Sequence, residues 1–276
     1  MPVISVFTVT MFHLLLWIGS LLQVSSLHII HGPSNLVKNG QPVPDIRKFP
    51  FVAHLSIESA LGTSVCTGSL ITPNHVLTSA HCFNHFDPKA LSTVEAGFLD
   101  PTGPLPKGSQ VRFMKKVWVY SGWTPEGPHD DVSVVEVNAF DLTDYVNFIN
   151  ISADDSFVQP QKPVSILGYG YTFDTDQPQS LQVGHAKIVD RDTCRQAWAK
   201  GCLPGSKCSL NCKGVTGIPC NFTITDSEFC TQGPSGVTMG DSGGPLIFSH
   251  QQRVQVGIAS YRGWEWGMPV MWHLLG

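Results

Sequence analysis

Short apolar segments separated by turn residues run through most of this chain. Residues 51–57 place Phe51, Ala53, Leu55 and Ile57 at alternate positions, which is the two-residue period of a β-strand. Further apolar segments lie at 69–71, 75–78, 111–120 and 132–137, and a second set lies at 164–167, 182–189, 245–248 and 254–260. This spacing predicts an all-β protein built as a barrel or a sandwich.

Two segments interrupt this pattern. Residues 138–162 carry Asp, Asn, Ser and Pro without clear periodicity, and we interpret them as the connection between two halves of the chain. Residues 200–221 contain four cysteines, which predicts an insertion held together by its own disulfides.

The amino-terminal segment predicts export. Residues 3–22 are mostly apolar and long enough to span a bilayer, and the small residues that follow at 24–26 are typical of a signal-peptide cleavage site. We therefore expect residues 1–26 to be a signal peptide and the mature chain to have no membrane partner. An uncleaved anchor is the alternative. The absence of Lys and Arg beside the apolar segment disfavours an anchor, although it is also atypical of a signal peptide.

Composition and charge exclude several classes of protein. With 42% hydrophobic and 14% charged residues, the chain is unlike a disordered segment, a coiled coil or a collagen-like fibre. Its formal net charge is −4, and no basic stripe is present. Nucleic-acid binding usually requires such a stripe, so we expect no nucleic-acid partner.

The cysteines fit an exported protein. They are Cys66, Cys82, Cys194, Cys202, Cys208, Cys212, Cys220 and Cys230. An even number in a chain with an export signal predicts disulfides. A zinc cluster is the alternative for the four at 202–220, but their C-x5-C-x3-C-x7-C spacing lacks paired C-x2-C knuckles, so we expect no metal. Asn150 and Asn221 lie in glycosylation acceptor tripeptides.

One glycine-rich segment carries a candidate nucleophile. Residues 240–246 read GDSGGPL, and no helix with a Lys follows, which argues against a phosphate-binding loop. Small neighbours leave the Ser242 hydroxyl accessible. They also let the N–H groups of Gly240 and Ser242 converge where a carbonyl oxygen that becomes negative could be bound.

A serine nucleophile needs a base, and the base needs an acceptor that orients it. Residues 77–82, LTSAHC, place His81 at the end of a strand, and a bridge between Cys66 and Cys82 would fix its direction and stabilise the fold by ~3 kcal/mol. The acidic pair Asp130 and Asp131, at the start of the apolar strand 132–137, supplies candidate acceptors.

These three segments together resemble the chymotrypsin-like serine proteases. The order His, Asp, Ser along the chain is the order in that family. Supporting matches are CTGSLI at 66–71, FPF at 49–51, GYG at 168–170 and GIASY at 257–261. The resemblance implies two packed antiparallel six-stranded β-barrels, at about 37–145 and 146–276. Relatives continue into a carboxyl-terminal helix, which we expect this chain to lack.

The resemblance also implies residue roles. Ser242 is the nucleophile, His81 the base, and Asp131 rather than Asp130 the acid that orients His81. The N–H groups of Gly240 and Ser242 form the oxyanion hole. Cys194 and Cys230 form a bridge behind the site, which leaves the cysteines of 202–220 to pair among themselves in one of three ways.

Activation departs from the usual pattern. In this family, cleavage frees an apolar residue whose ammonium pairs with the acid before the nucleophile, here Asp241. Val37 lies at the expected distance from the FPF segment, which makes 27–36 a short propeptide and 37–276 the peptidase domain. Ile29 resembles the family consensus better but would need extra residues. Neither is preceded by Arg or Lys, so the activating protease is not indicated.

The specificity pocket is also unusual. Gly236 occupies the position where trypsin-like members carry an acid, so we expect no trypsin-like preference for Lys or Arg. Ser260 and Tyr261 begin the strand that pairs with the substrate backbone. Arg262 and Val270 stand where glycines are common; an inward Arg262 would favour an acidic or small side chain, and a one-residue shift would turn it outward.

The predicted function is that of a secreted serine endopeptidase acting on proteins or peptides without a cofactor. Macromolecular inhibitors are expected partners. The alternative is a weakly active or inactive homologue that binds a partner through the same cleft.

Overall fold

The computed structural model describes residues 36–125, 127, 129–170, 180–201, 223–249, 253–262 and 270–275, which fold mainly into β-strands. The strands are β1 Gln41–Pro42, β2 Val52–Ser59, β3 Gly62–Thr72, β4 His75–Thr78, β5 Thr93–Ala96, β6 Gln110–Val119, β7 Ser133–Val137, β8 Asn150–Ile151, β9 Pro163–Gly168, β10 Gln182–Val189, β11 Glu228–Gln232, β12 Pro245–Ser249, β13 Arg253–Arg262 and β14 Val270–Leu274. The helices are α1 Leu36–Asn39 and α2 Arg191–Gly201, with 3-10 helices at Ile46–Lys48, Ala80–Phe83 and Asp155–Val158.

The strands close into two six-stranded antiparallel barrels, as the resemblance implied. The first has the order β2-β3-β4-β7-β6-β5. The second has the order β9-β10-β11-β14-β13-β12 and closes because β12 also pairs with β9. Strand β1 joins the second barrel at β10, and β8 lies parallel to β13. The all-β prediction is confirmed.

The two faces of β2 show how the barrels are packed. Ala53, Leu55 and Ile57 point into the core of the first barrel, which is the alternation read from the sequence. Val52 lies on the opposite face, yet it is also buried, in a cluster that joins residues of both barrels. His54 on that face contacts Tyr169 of the second half with 5.5 Å between ring centroids. The barrels therefore share a packed interface, and the site described below lies along it.

Helix α2 was not predicted from the sequence. It begins after Asp190, whose carboxylate accepts a hydrogen bond from the Thr193 N–H at 3.0 Å, as in an N-cap. Its Cys194 and Trp198 pack against β11 and β14 residues. In the described part of the chain, no helix is long and apolar enough to cross a membrane. The predicted signal peptide, and the insertion from residue 202 onward, lie outside the described residues.

Candidate active site

The segment that carries His81 is held from two sides. It forms the 3-10 helix Ala80–Phe83 directly after β4. Cys82 is joined by a disulfide to Cys66 in β3, with 6.4 Å between the Cα atoms. The disulfide ties Cys82, the residue next to His81, to the wall of the first barrel. The backbone that carries the imidazole is therefore held rigidly. The His81 side chain is 21% exposed.

Asp131 is fully buried and faces His81. One carboxylate oxygen accepts the His81 backbone N–H at 2.7 Å, and the other lies 2.6 Å from the imidazole Nδ1. The Ser260 hydroxyl donates to that second oxygen at 2.6 Å. Burial opposes ionisation, but His81 and these hydrogen bonds prevail and lower the pKa of Asp131. An ionised carboxylate is therefore held against one nitrogen of the imidazole.

The neighbouring acid has a different position. Asp130 adopts a left-handed backbone conformation with φ of 57°, and its carbonyl accepts the Val132 N–H at 2.8 Å. This tight turn directs Asp131 toward the site. All the contacts to His81 described above are made by Asp131.

Ser242 lies in the loop before β12, partly exposed in a cavity of about 480 Å³ that His81 also lines. Its own carbonyl accepts the Thr67 N–H at 2.9 Å. The next residue, Gly243, has φ of +79°, and a Cβ there would lie 1.9 Å from the Thr78 hydroxyl. The glycine is thus required by both conformation and space, which explains why the nucleophile segment contains it.

Two residues that line this cavity have backbone N–H groups available for binding. Gly240 has φ of +91°, and both it and Ser242 line the cavity. Among the described residues, neither of their N–H groups donates to a protein acceptor. Two uncommitted donors next to a serine hydroxyl are the arrangement needed to bind a developing oxyanion.

The comparisons with known proteins agree with this geometry. The family model for trypsin matches residues 37–267. The chain belongs to the trypsin family. Chymotrypsin-C from Mus musculus is 28% identical over 201 residues, covering 67% of this chain and 73% of that protein. Trypsin from Saccharopolyspora erythraea is 25% identical over 221 residues, covering 79% and 83%. Transmembrane protease serine 11G from Mus musculus is 27% identical over 220 residues, covering 79% and 46%.

As a trypsin-family member, the chain is a serine endopeptidase, and its substrates are peptides or proteins. No group of three or more His, Cys, Asp or Glu side chains within the described residues could hold a metal ion.

Asp241, the acid before Ser242, is fully buried among polar backbone and hydroxyl groups. Its carboxylate accepts the Gly170 N–H at 2.8 Å, the Thr238 N–H at 2.7 Å and the Thr238 hydroxyl at 3.1 Å. Burial outweighs these hydrogen bonds and raises the pKa of Asp241 to about 6. A Cβ at Gly168 would lie 2.0 Å from the Asp241 carboxylate, so only glycine fits at this position of the GYG segment.

Val37 is fully buried in the core of the second barrel. Two residues later, the Asn39 side chain donates a hydrogen bond to the Pro234 carbonyl at 2.6 Å. The Asn39 carbonyl in turn accepts the Ser235 hydroxyl at 3.2 Å. The segment is therefore docked beside the loop that leads to Asp241. Among the described residues, the hydrogen-bond partners of Asp241 do not include Val37. Ile29 lies outside them.

The predicted pocket residues Ser260, Tyr261, Arg262 and Val270 lie in β13 and β14, and Gly236 lies in the loop after β11. A Cβ at Gly236 would lie 3.5 Å from Val270 Cγ2, so the valine faces the glycine directly. The Tyr261 ring lies 5.4 Å from the His81 ring between centroids. Arg262 belongs to β13 and pairs with Val270 across the ladder, but its side chain lies outside the described part of the structure.

Three side chains near Asp131 were not predicted to act there. The Ser260 hydroxyl, expected only to begin a substrate-pairing strand, binds the Asp131 carboxylate. The buried His273 accepts the Asp131 N–H through Nε2 at 3.3 Å. Two residues before Asp131, His129 Nδ1 lies 2.6 Å from the buried Glu228 carboxylate. The signal available in the sequence was an ionisable residue beside an aromatic one in each of two segments, Glu228 before Phe229 and His273 after Trp272.

Some of the remaining cysteines and glycosylation sites lie within the described residues, and the others lie outside them. Cys194 and Cys230 form a disulfide between α2 and β11. Cys202, Cys208, Cys212, Cys220 and Asn221 lie outside these limits. Asn150 is exposed in β8.

Proposed function

We propose that this protein is a secreted endopeptidase in which Ser242, His81 and Asp131 form the catalytic triad and Gly240 and Ser242 form the oxyanion hole. The observation that carries the proposal is the 2.6 Å contact between His81 Nδ1 and a buried, ionised Asp131. This contact fixes the imidazole tautomer that leaves Nε2 free to accept a proton.

The proposed reaction follows from that tautomer. His81 accepts the proton of the Ser242 hydroxyl as the oxygen attacks the substrate carbonyl, and it then delivers the proton to the leaving amine. Asp131 stabilises the imidazolium that forms between these steps. The N–H groups of Gly240 and Ser242 stabilise the oxyanion, and the loss of one such donor typically costs ~3–4 kcal/mol of transition-state stabilisation.

Labelling with a fluorophosphonate tests the proposal. After the amino terminus of the processed protein has been sequenced, the wild-type protein should become labelled and Ser242→Ala should not. Ser156→Ala, an exposed position in the 3-10 helix Asp155–Val158 far from the nucleophile in the chain, serves as the matched control and should retain label. A processed wild-type protein that takes no label would favour the inactive homologue.

For processing, we propose that cleavage before Val37 supplies the ammonium that pairs with Asp241. The docked Val37–Gly40 segment and the full burial of the Asp241 carboxylate support this site. Sequencing of the secreted protein should give VKNG as the amino terminus. An amino terminus at Ile29, or an uncleaved 1–26 segment, would refute the processing or the export proposal respectively.

For the residue before the scissile bond, we propose a small side chain and no trypsin-like preference. Gly236 supplies no carboxylate, and Val270 fills the space in front of it. Cleavage of matched peptides with Ala, Leu, Phe, Asp or Lys at this position should favour Ala, and Val270→Gly should raise the rate for Phe relative to Ala. A dominant Lys preference in the wild-type protein would contradict the proposal.

For the residues after the scissile bond, we propose an apolar preference. The acyl half of a substrate lies against Ser260 and Gly236, so the leaving half lies in the cavity on the other side of His81. Its apolar lining residues are Ile57, Leu61, Val65, Phe86 and Met239. Leu61 and Met239 are 78% and 69% exposed there, so a substrate side chain could cover them.

Partitioning of an acyl-enzyme tests this preference. An ester substrate is hydrolysed in the presence of amino-acid amides, which compete with water from the leaving side. Leucine amide should capture the acyl group about tenfold better than aspartic acid amide, since burial of its side chain contributes ~1–2 kcal/mol. Leu61→Asp should reduce that ratio, whereas Leu91→Asp, 73% exposed but outside the cavity, should not. Equal capture of both amides would contradict the proposal.

A further inference from the structure

We propose that Thr67 is a positioning residue that holds the oxyanion loop in its active conformation. The inference rests on the proposed function, since it concerns the loop from Gly240 to Ser242. Thr67 lies in β3 of the first barrel, in the CTGSLI segment that resembles the family sequence, and it belongs neither to the proposed triad nor to the oxyanion hole.

The contacts of Thr67 enclose the residues on both sides of Asp241. Its hydroxyl donates to the Gly240 carbonyl at 2.8 Å. Its backbone N–H donates to the Ser242 carbonyl at 2.9 Å. The hydroxyl also accepts the Tyr169 N–H at 3.1 Å, so both of its hydrogen-bonding roles are used. Thr67 is fully buried, so water cannot replace these partners.

The Gly240 conformation needs such an external restraint. Glycine adopts positive and negative φ at similar cost, so residue 240 does not itself select the φ of +91° that it has. By binding the Gly240 carbonyl, the Thr67 hydroxyl fixes the peptide group between Gly240 and Asp241. The Gly240 N–H belongs to the preceding peptide group, and its position follows that of the anchored Gly240 Cα. Without the hydroxyl, the loop can shift and carry this donor away from the oxyanion position.

Thr67 is itself fixed in place. Its carbonyl accepts the Thr78 hydroxyl at 2.9 Å, which ties it to β4. Its methyl group lies 3.3 Å from where a Cβ at Gly244 would be, so the loop packs closely against it. The restraint on the loop of the second barrel thus comes from two paired strands of the first.

The test compares variants that differ by a hydroxyl or a methyl group. Thr67→Val has nearly the same shape without the hydroxyl, and we expect kcat to fall about 10- to 100-fold with KM within about twofold, below the loss for a deleted oxyanion donor. Thr67→Ser keeps the hydroxyl and should stay within about threefold of wild type. Rates are normalised by titration of reactive Ser242.

The matched control is Ser69→Ala, two residues further along β3. Ser69 is also fully buried, and its hydroxyl donates to Gln255 Oε1 at 2.6 Å, away from the nucleophile loop. This change should lower stability while kcat is unchanged. A peptide aldehyde, whose hemiacetal oxygen would occupy the oxyanion hole, should lose affinity for Thr67→Val in parallel with kcat/KM but not for Ser69→Ala.

The outcomes separate the two proposals. Wild-type kcat in Thr67→Val, or an equal loss in Ser69→Ala, would overturn the inference while leaving the triad intact. A wild-type protein no more active than Ser242→Ala would refute the proposed function instead. If Thr67→Val does not fold, Thr67→Ala also lacks the hydroxyl and carries the same expectation.

Discussion

The buried charge of Asp241 leads to a prediction about the stability of the unprocessed protein. The pKa of this carboxyl is raised from an ordinary 3.8 to about 6 because it is fully buried, and its hydrogen bonds only partly offset that burial. The folded chain consequently binds the Asp241 proton more tightly than the unfolded chain. The stability that this difference contributes is fully present below about pH 4 and is lost as the pH rises through about 6.

The magnitude follows from the shift. One pKa unit corresponds to 1.36 kcal/mol, so a rise of about two units predicts that Asp241 titration lowers the free energy of unfolding by ~3 kcal/mol between pH 4 and pH 7. Asp131 acts in the opposite direction, because its pKa is lowered in the folded state and its contribution is lost toward acid. A comparison of two variants that differ only at residue 241 removes the Asp131 contribution.

Urea unfolding of uncleaved protein at pH 4 and pH 7 provides the assay. Ser242→Ala serves as the background, since it prevents self-cleavage, and the second variant adds Asp241→Asn. The amide alters the hydrogen bond to Thr238 by an amount that is the same at both pH values. On going from pH 4 to pH 7, we expect the background protein to lose ~3 kcal/mol more than the protein that also carries Asp241→Asn. Equal pH dependence in the two proteins would refute the reasoning.

Three further predictions concern single features. Asp131→Asn should lower kcat by about 10⁴ in a peptidase assay, because an amide has one accepting oxygen and cannot accept both the His81 backbone N–H and the His81 Nδ1 proton; a loss below tenfold would argue against its role. Replacing Cys66 and Cys82 together by Ser should lower the free energy of unfolding by ~3 kcal/mol in urea, and an unchanged value would contradict the role of the bridge. Leu246→Ala, in the core of the second barrel, should cost ~2–5 kcal/mol with little change in normalised kcat.

The sequence predicted those parts of the fold whose signal is local. Residues 75–78 and 182–189 were predicted as strands with the bounds that β4 and β10 have in the structure. In β2 the alternation identified the residues that face the first barrel core. In β10 buried residues alternate with more exposed ones, and that is the pattern that a two-residue period records. Strand β4 has three consecutive buried residues, and it was recognised as a short apolar segment that follows turn residues.

The strands that were not predicted are buried on both sides or are short. In β11 the residues from Glu228 to Thr231 are all buried, so no alternation is visible, and its acid resembles a solvated position. Strand β14 has the same pattern and contains the buried His273. Strands β1 and β8 have only two residues each, which is too few to show a period, and β5 contains only Val94 and Ala96 as apolar residues. Helix α2 contains Thr, Cys and Trp among charged residues and shows no clear apolar stripe in the sequence.

The contacts that shape the site could not be predicted from a local sequence pattern, because each joins residues of the two barrels that are far apart in the chain. Thr67 and Gly240 are separated by 173 residues, His273 and Asp131 by 142, and Ser260 and Asp131 by 129. A motif can identify the residue that reacts, but a residue that orients it from the opposite barrel is one polar side chain among many in the sequence. Each such residue is recognisable only after folding, when its polar atoms prove to be buried and directed at the reacting segment. Substitutions of interface residues whose polar atoms are directed at the reacting segment should therefore alter catalysis, whereas an interface residue such as Ser69, which binds Gln255 away from that segment, should not affect it.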